Sequence, residues 1–74
     1  SCTGGLIGHR LTQLPGSSAY VDRGAICYSN RSKIDMLAVS EDLIATHGAV
    51  SKEVAAAMAK GIRERAGVSV GLSV

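Results

Sequence analysis

The stretch Gly24-Ala25-Ile26-Cys27-Tyr28-Ser29-Asn30 (GAICYSN, residues 24–30) decides how the chain is read. Four apolar residues run together at 25–28, with a glycine before them and a Ser-Asn pair after. A short continuous apolar run between turn-forming residues predicts a buried strand. At the other end of the chain, VSVGLSV (68–74) alternates weakly and predicts a second strand, with Gly71 marking a close approach of backbones.

Helical patterns surround these two runs. GGLIGHRLTQL (4–14) spaces Leu6, Ile7, Leu11 and Leu14 for one helical face, starting at the Thr3-Gly4-Gly5 turn and stopped by PGSS (15–18). RSKIDMLAV (31–39) predicts a short helix with Ile34, Leu37 and Ala38 turned inward. Ser40 is placed to cap EDLIATH, whose two leading acids suit the positive end of a helix dipole. The clearest pattern is SKEVAAAMAKGIRERAG (51–67). Ser51 caps it, Gly67 ends it, and Val54, Ala57, Met58, Gly61 and Ile62 trace its inner face. The expected fold class is therefore α/β: a three-layer α/β/α arrangement around a mixed, largely parallel sheet, of which this chain forms the first half.

Composition limits the function classes. Seventy-four residues make one small domain, and a chain of that size buries only about 60–65% of its unfolded surface. Aromatics supply 3% of the residues, so the core must be aliphatic and thin, which favours association into a homo-oligomer. Eight Lys/Arg against six Asp/Glu give a net charge of +2, scattered along the chain. That is too weak for a nucleic-acid footprint, which needs clustered cations. No apolar run approaches the roughly 20 residues of a membrane span. Cys2 and Cys27 form neither a C-x-x-C pair nor a disulfide framework, so neither zinc nor redox chemistry is indicated and a cytoplasmic setting with reduced thiols is expected. Cys2 is a second possible nucleophile, but a small buried thiol, the commoner role of a free cysteine, is expected. His9 and His47 have ordinary places on their helices, with no third ligand for a metal.

Serine chemistry is the remaining candidate. Ser1 precedes a glycine-rich turn, Thr3-Gly4-Gly5, whose backbone amides are of the kind that stabilise an oxyanion. Such a serine needs a base, and no Asp/His pair is suitably spaced. A lysine serves when burial favours its neutral form. Lys33 follows the 25–28 run by one helical turn, and Tyr28, Ser29 and Asn30 lie between as hydrogen-bonding groups. From these residues alone, a plain turn at Ser1 and a solvated Lys33 remain open readings. TGGLIG (3–8) lacks both the first glycine of a dinucleotide fingerprint and the Lys-Ser/Thr of a P-loop.

Four motifs in order, SCTGGLIGHRLT (1–12), PGSSAY (15–20), GAICYSNRSKIDML (24–37) and HGAVSKEVAAAMAKG (47–61), resemble one family across essentially all 74 residues. They are similar to the C-terminal domain of the CinA (competence/damage-inducible) proteins, the nicotinamide-nucleotide amidohydrolases. The resemblance implies that residues 1–74 are part of a domain about twice as long. That domain would add a helix and strand before Ser1 and a Thr-Gly…Gly-Pro segment after Val74. It implies an enzyme that deamidates nicotinamide mononucleotide to nicotinate mononucleotide and ammonia, without metal or cofactor. Carried over by position, Ser1 matches the nucleophile and Lys33 its dyad base. Ser18 and Tyr28 match assisting residues, and Thr3, Gly4 and Gly5 the oxyanion and substrate-binding turn. The alternative is a catalytically silent nucleotide-binding or interaction module of the same fold.

Overall fold

In the computed structural model, which describes all of Ser1–Val74, the regular structure is helical throughout. Helix α1 covers Leu6–Thr12, a single 3₁₀ turn covers Ser17–Ala19, and α2, α3 and α4 cover Asn30–Leu37, Glu41–His47 and Lys52–Ala66.

Local chemistry accounts for each helix boundary. Ser29, Ser40 and Ser51 cap α2, α3 and α4, each hydroxyl accepting the backbone N–H three residues on, at 3.1–3.2 Å. Glu41 and Asp42 occupy the first turn of α3. Gly67 closes α4 in the left-handed conformation, with Val68 N–H returning to the Arg63 carbonyl at 3.2 Å. Helix α2 stops two residues earlier than its sequence pattern suggests. Ala38 takes a left-handed φ of 55°, and Val39 N–H folds back onto the Lys33 carbonyl at 3.2 Å. Ala38 is consequently exposed rather than turned inward.

Helix α4 packs against both α2 and α3, and the core gathers there. Cys27, Leu37, Val39, Ile44, Val54 and Met58 are buried, with Ile34, Ala57 and Ile62 half-buried around them. Val54, Met58 and Gly61 line the buried face of α4, as its periodicity requires. Only nine of 74 residues are buried, and α1 buries none. The Cα radius of gyration is 12.5 Å, against about 11 Å for a compact chain of this length. The molecule is correspondingly long, 41 × 23 × 18 Å.

The α/β expectation, with its three layers and mixed sheet, is overturned. Neither the 25–28 run nor 68–74 forms a strand. A strand exists through the hydrogen bonds of its ladder, and here there is no ladder. Residues 22–28 donate no backbone hydrogen bond, and no bond joins them to 68–74. The apolar run at 25–28 nevertheless contributes one residue to the core, whereas Val68, Val70, Leu72 and Val74 all stay exposed. Cys27 enters the core at 0% exposure while its neighbours Ile26 and Tyr28 stay outside. The 68–74 segment lies along α4, where Ser73 Oγ donates to the Ala55 carbonyl. Gly71 sits so near α4 that a Cβ would strike the Ala59 carbonyl oxygen, the close approach anticipated at this glycine.

Candidate functional site

The turn before α1 is built on two glycines. Gly4 and Gly5 take φ values of 60° and 106°, a region closed to most side chains. Gly4 N–H bonds the Ser1 carbonyl at 3.2 Å, and Leu6 N–H bonds the Thr3 carbonyl at 3.3 Å. The N–H groups of Thr3 and Gly5 have no backbone partner. Thr3 and Gly5 also line the main concavity of the molecule, whereas Gly4 does not. Of the three residues in the expected oxyanion turn, the two with free amides are therefore the two on the groove wall. The Ser1 amine and the Cys2 N–H both point to the Val74 carbonyl, at 2.8 and 3.5 Å, which ties this turn to the end of the 68–74 segment. Cys2 is exposed, contrary to the buried thiol expected of it.

The groove encloses about 1160 Å³ between α1, the 3₁₀ turn, residues 20–26 and the 68–74 segment. Ser1 and Ser18 lie on its wall with Thr3 and Gly5. His9, Asp22 and Arg23 add polar groups, and apolar side chains such as Ile7, Leu11, Ile26 and Leu72 supply much of the surface. Sequence reasoning passed over Ser17, which also lines the groove and is 9% exposed. Its only signal was the serine doublet itself, because a 3₁₀ turn points adjacent residues in different directions.

Lys33 and Tyr28 stand apart from the groove wall. Tyr28 is 84% exposed. Lys33, by contrast, is only 4% exposed and shares the inner face of α2 with Leu37, one turn on. Its amine joins none of the chain's ion pairs and makes no hydrogen bond. Every fully enclosed side-chain nitrogen and oxygen has a hydrogen-bond partner, so the Lys33 Nζ must keep a narrow opening to solvent. The structure thus brings Ser1, Ser18, Thr3 and Gly5 to one surface, and leaves Lys33, Tyr28 and Gly4 off it. No group of three or more His, Cys, Asp or Glu side chains comes together anywhere in the chain. No helix is long and apolar enough to cross a membrane.

The family model described as "CinA C-terminal domain" matches residues 1–74 in full, and the chain belongs to that family. A CinA-like protein of Syntrophotalea carbinolica is 53% identical over 74 residues. A putative competence-damage inducible protein of Halothermothrix orenii is 57% identical over the same length. In both cases all of this chain is covered, and it spans 18% of the relative's length. Among solved structures, the competence/damage inducible protein CihA of Agrobacterium tumefaciens is 52% identical with a TM-score of 0.85. That match covers 88% of this chain and 39% of the other. A CinA superfamily protein of Escherichia coli is 33% identical with a TM-score of 0.90, covering 93% of this chain and 40% of its own.

Proposed function

We propose that the protein containing this chain is an amidohydrolase that converts nicotinamide mononucleotide to nicotinate mononucleotide and ammonia. The observation that carries the reading is Lys33. A lysine 4% exposed, without an ion pair or hydrogen bond, is an unusual feature for a small chain to keep, because charged side chains are rarely buried unpaired. A base in a serine hydrolase accounts for it.

In this reading Ser1 Oγ attacks the carboxamide carbon and its proton passes toward Lys33 as general base. A C–O bond forms as the carbonyl π electrons move to oxygen. The amides of Thr3 and Gly5, free and on the groove wall, receive that oxyanion. Collapse breaks the C–N bond, the departing nitrogen takes a proton, and ammonia leaves. Water then hydrolyses the acyl-serine. Ser18 shares the groove wall with Ser1 and is the better relay toward Lys33, since Tyr28 faces solvent. Catalytic hydrogen bonds are commonly loose without substrate and tighten in the Michaelis complex. The protein would also associate with copies of itself, which would cover exposed Leu6, Leu11 and Leu14.

That neither Lys33 nor Tyr28 lines the groove favours a second reading, a binding module that holds the nucleotide without turning it over. Ammonia release from nicotinamide mononucleotide by the full-length protein separates the two. Loss of release in both Ser1→Ala and Lys33→Ala supports the dyad. Undiminished release in both variants rules it out, and binding without release in the unmodified protein selects the silent module.

A further inference from the structure

Ser17 is the one buried serine in the chain. The hydroxyls of Ser29, Ser32, Ser40, Ser51 and Ser73 all bond to backbone groups, and each of those residues is more exposed. The Ser17 backbone is fully engaged. Its N–H donates to the Leu14 carbonyl at 3.1 Å, and its carbonyl accepts from Tyr20 at 3.0 Å and from Val21 at 2.8 Å. Its hydroxyl alone has no partner.

A buried hydroxyl left unbonded is destabilising, and folded chains generally satisfy such groups or open them to something that does. Because every fully enclosed side-chain oxygen in this chain is bonded, the Ser17 Oγ must reach an open surface. The groove that Ser17 lines with Ser1 and Ser18 is that surface. Three hydrogen bonds hold the Ser17 backbone, so the side chain projects from an anchored Cα.

From this we infer that Ser17 is a substrate-binding residue of the Ser1 groove, its hydroxyl bonding a neutral polar group of the bound nucleotide. The inference rests on the amidohydrolase reading for the identity of the ligand. An aliphatic hydroxyl both donates and accepts, which suits it to a carboxamide or a sugar hydroxyl. Ser17 adds to Ser18 a second, buried member of the same doublet, with binding as its task.

The test measures nicotinamide mononucleotide affinity by calorimetry on the full-length Ser1→Ala protein, with and without Ser17→Ala. Ser17→Ala should weaken binding about 3- to 10-fold, the range of one ordinary hydrogen bond. In the Ser1-containing enzyme, KM should rise by a similar factor and kcat should change less than about twofold. The thermal midpoint should barely move, because no hydrogen bond of the folded chain is removed. Ser17→Cys, close in shape and a weak hydrogen bonder, should behave alike and carries the test if the alanine variant does not fold. Unchanged affinity in the folded variants overturns the inference. A lowered thermal midpoint at unchanged affinity also overturns it, by making Ser17 a packing residue. Failure of the Ser1→Ala protein to bind the nucleotide, with no ammonia released by the unmodified enzyme, instead overturns the substrate reading and with it this role.

Discussion

A Cβ on Gly61 would collide with the carbonyl oxygen of Leu37, so α4 and the end of α2 meet backbone to backbone. This contact sets the depth at which α4 lies on α2, and Leu37 and Met58 are buried beside it. Gly61→Ala would normally strengthen a helix by up to about 1 kcal/mol. Here the obstructing atom is backbone and cannot rotate away. The substitution should instead cost roughly 2–3 kcal/mol net, by separating the two helices. Gly8, inside α1, is the matched control, because a Cβ there meets nothing within 4 Å. Gly8→Ala should stabilise by about 0.5–1 kcal/mol. Urea titrations of both variants should give shifts of opposite sign.

The Ser51 hydroxyl accepts Val54 N–H at 3.2 Å and donates to the Gly48 carbonyl at 2.8 Å, joining the α3–α4 connection to the first turn of the longest helix. Ser51→Ala should destabilise by about 1 kcal/mol, and Ser51→Asp should restore most of the loss. A fall in urea midpoint with alanine and recovery with aspartate checks both steps.

These capping positions were legible in the sequence because they depend on neighbours three or four residues away. Ser40, Ser51 and Gly67 act where their local patterns put them, and Val54, Met58 and Gly61 face inward as helical spacing demands. The error at 25–28 and 68–74 has a different origin. An apolar run marks side chains that burial would favour, and of these Cys27 is covered while Ile26, Tyr28, Val70 and Leu72 are not. It does not record which backbone groups will pair, and at these segments none pair with one another. The site divides the same way. The glycine turn at Gly4-Gly5 is local chemistry and forms as read, while the relation between the groove and Lys33 depends on long-range packing. The end of α2 was missed because Ala38 takes a conformation that favours glycine.

Lys33→Met should separate stability from function. The methionine fills similar volume without the unpaired amine of a residue that is 4% exposed, and replacing such a group by an apolar one is often neutral or favourable. The variant should be unchanged or more stable by roughly 1 kcal/mol, and should release no ammonia from nicotinamide mononucleotide. A variant both stabilised and fully active would show that Lys33 has no part in catalysis.

Thiol labelling checks where the 25–28 run sits. Cys2 is exposed and Cys27 is fully buried, its sulfur 3.9 Å from the sulfur of Met36. The folded chain should react with a bulky aromatic disulfide at one thiol, and at two after denaturation. Tandem mass spectrometry should locate the fast label on Cys2. Equal rates at both thiols would mean that residues 24–28 do not lie against α2.

Amide hydrogen exchange on the 74-residue chain tests the absence of a ladder most directly. The backbone N–H groups of residues 22–28 and 69–74 have no backbone acceptor, whereas those of residues 56–66 in α4 are all engaged within the helix. Exchange follows opening of hydrogen bonds, so the unpaired segments should exchange first and the middle of α4 last. Burial of the Cys27 side chain should slow its own amide modestly without protecting its neighbours Ile26 and Tyr28, both of which are exposed. A period-two pattern of protection along 24–28 would have a different meaning. Alternate amides would then be bonded to an adjacent strand, and the extended segments would be paired after all. Uniformly fast exchange at 24–28, beside a protected α4, is the outcome expected of an all-helical chain in which residues 24–28 contribute Cys27 to the core and no ladder.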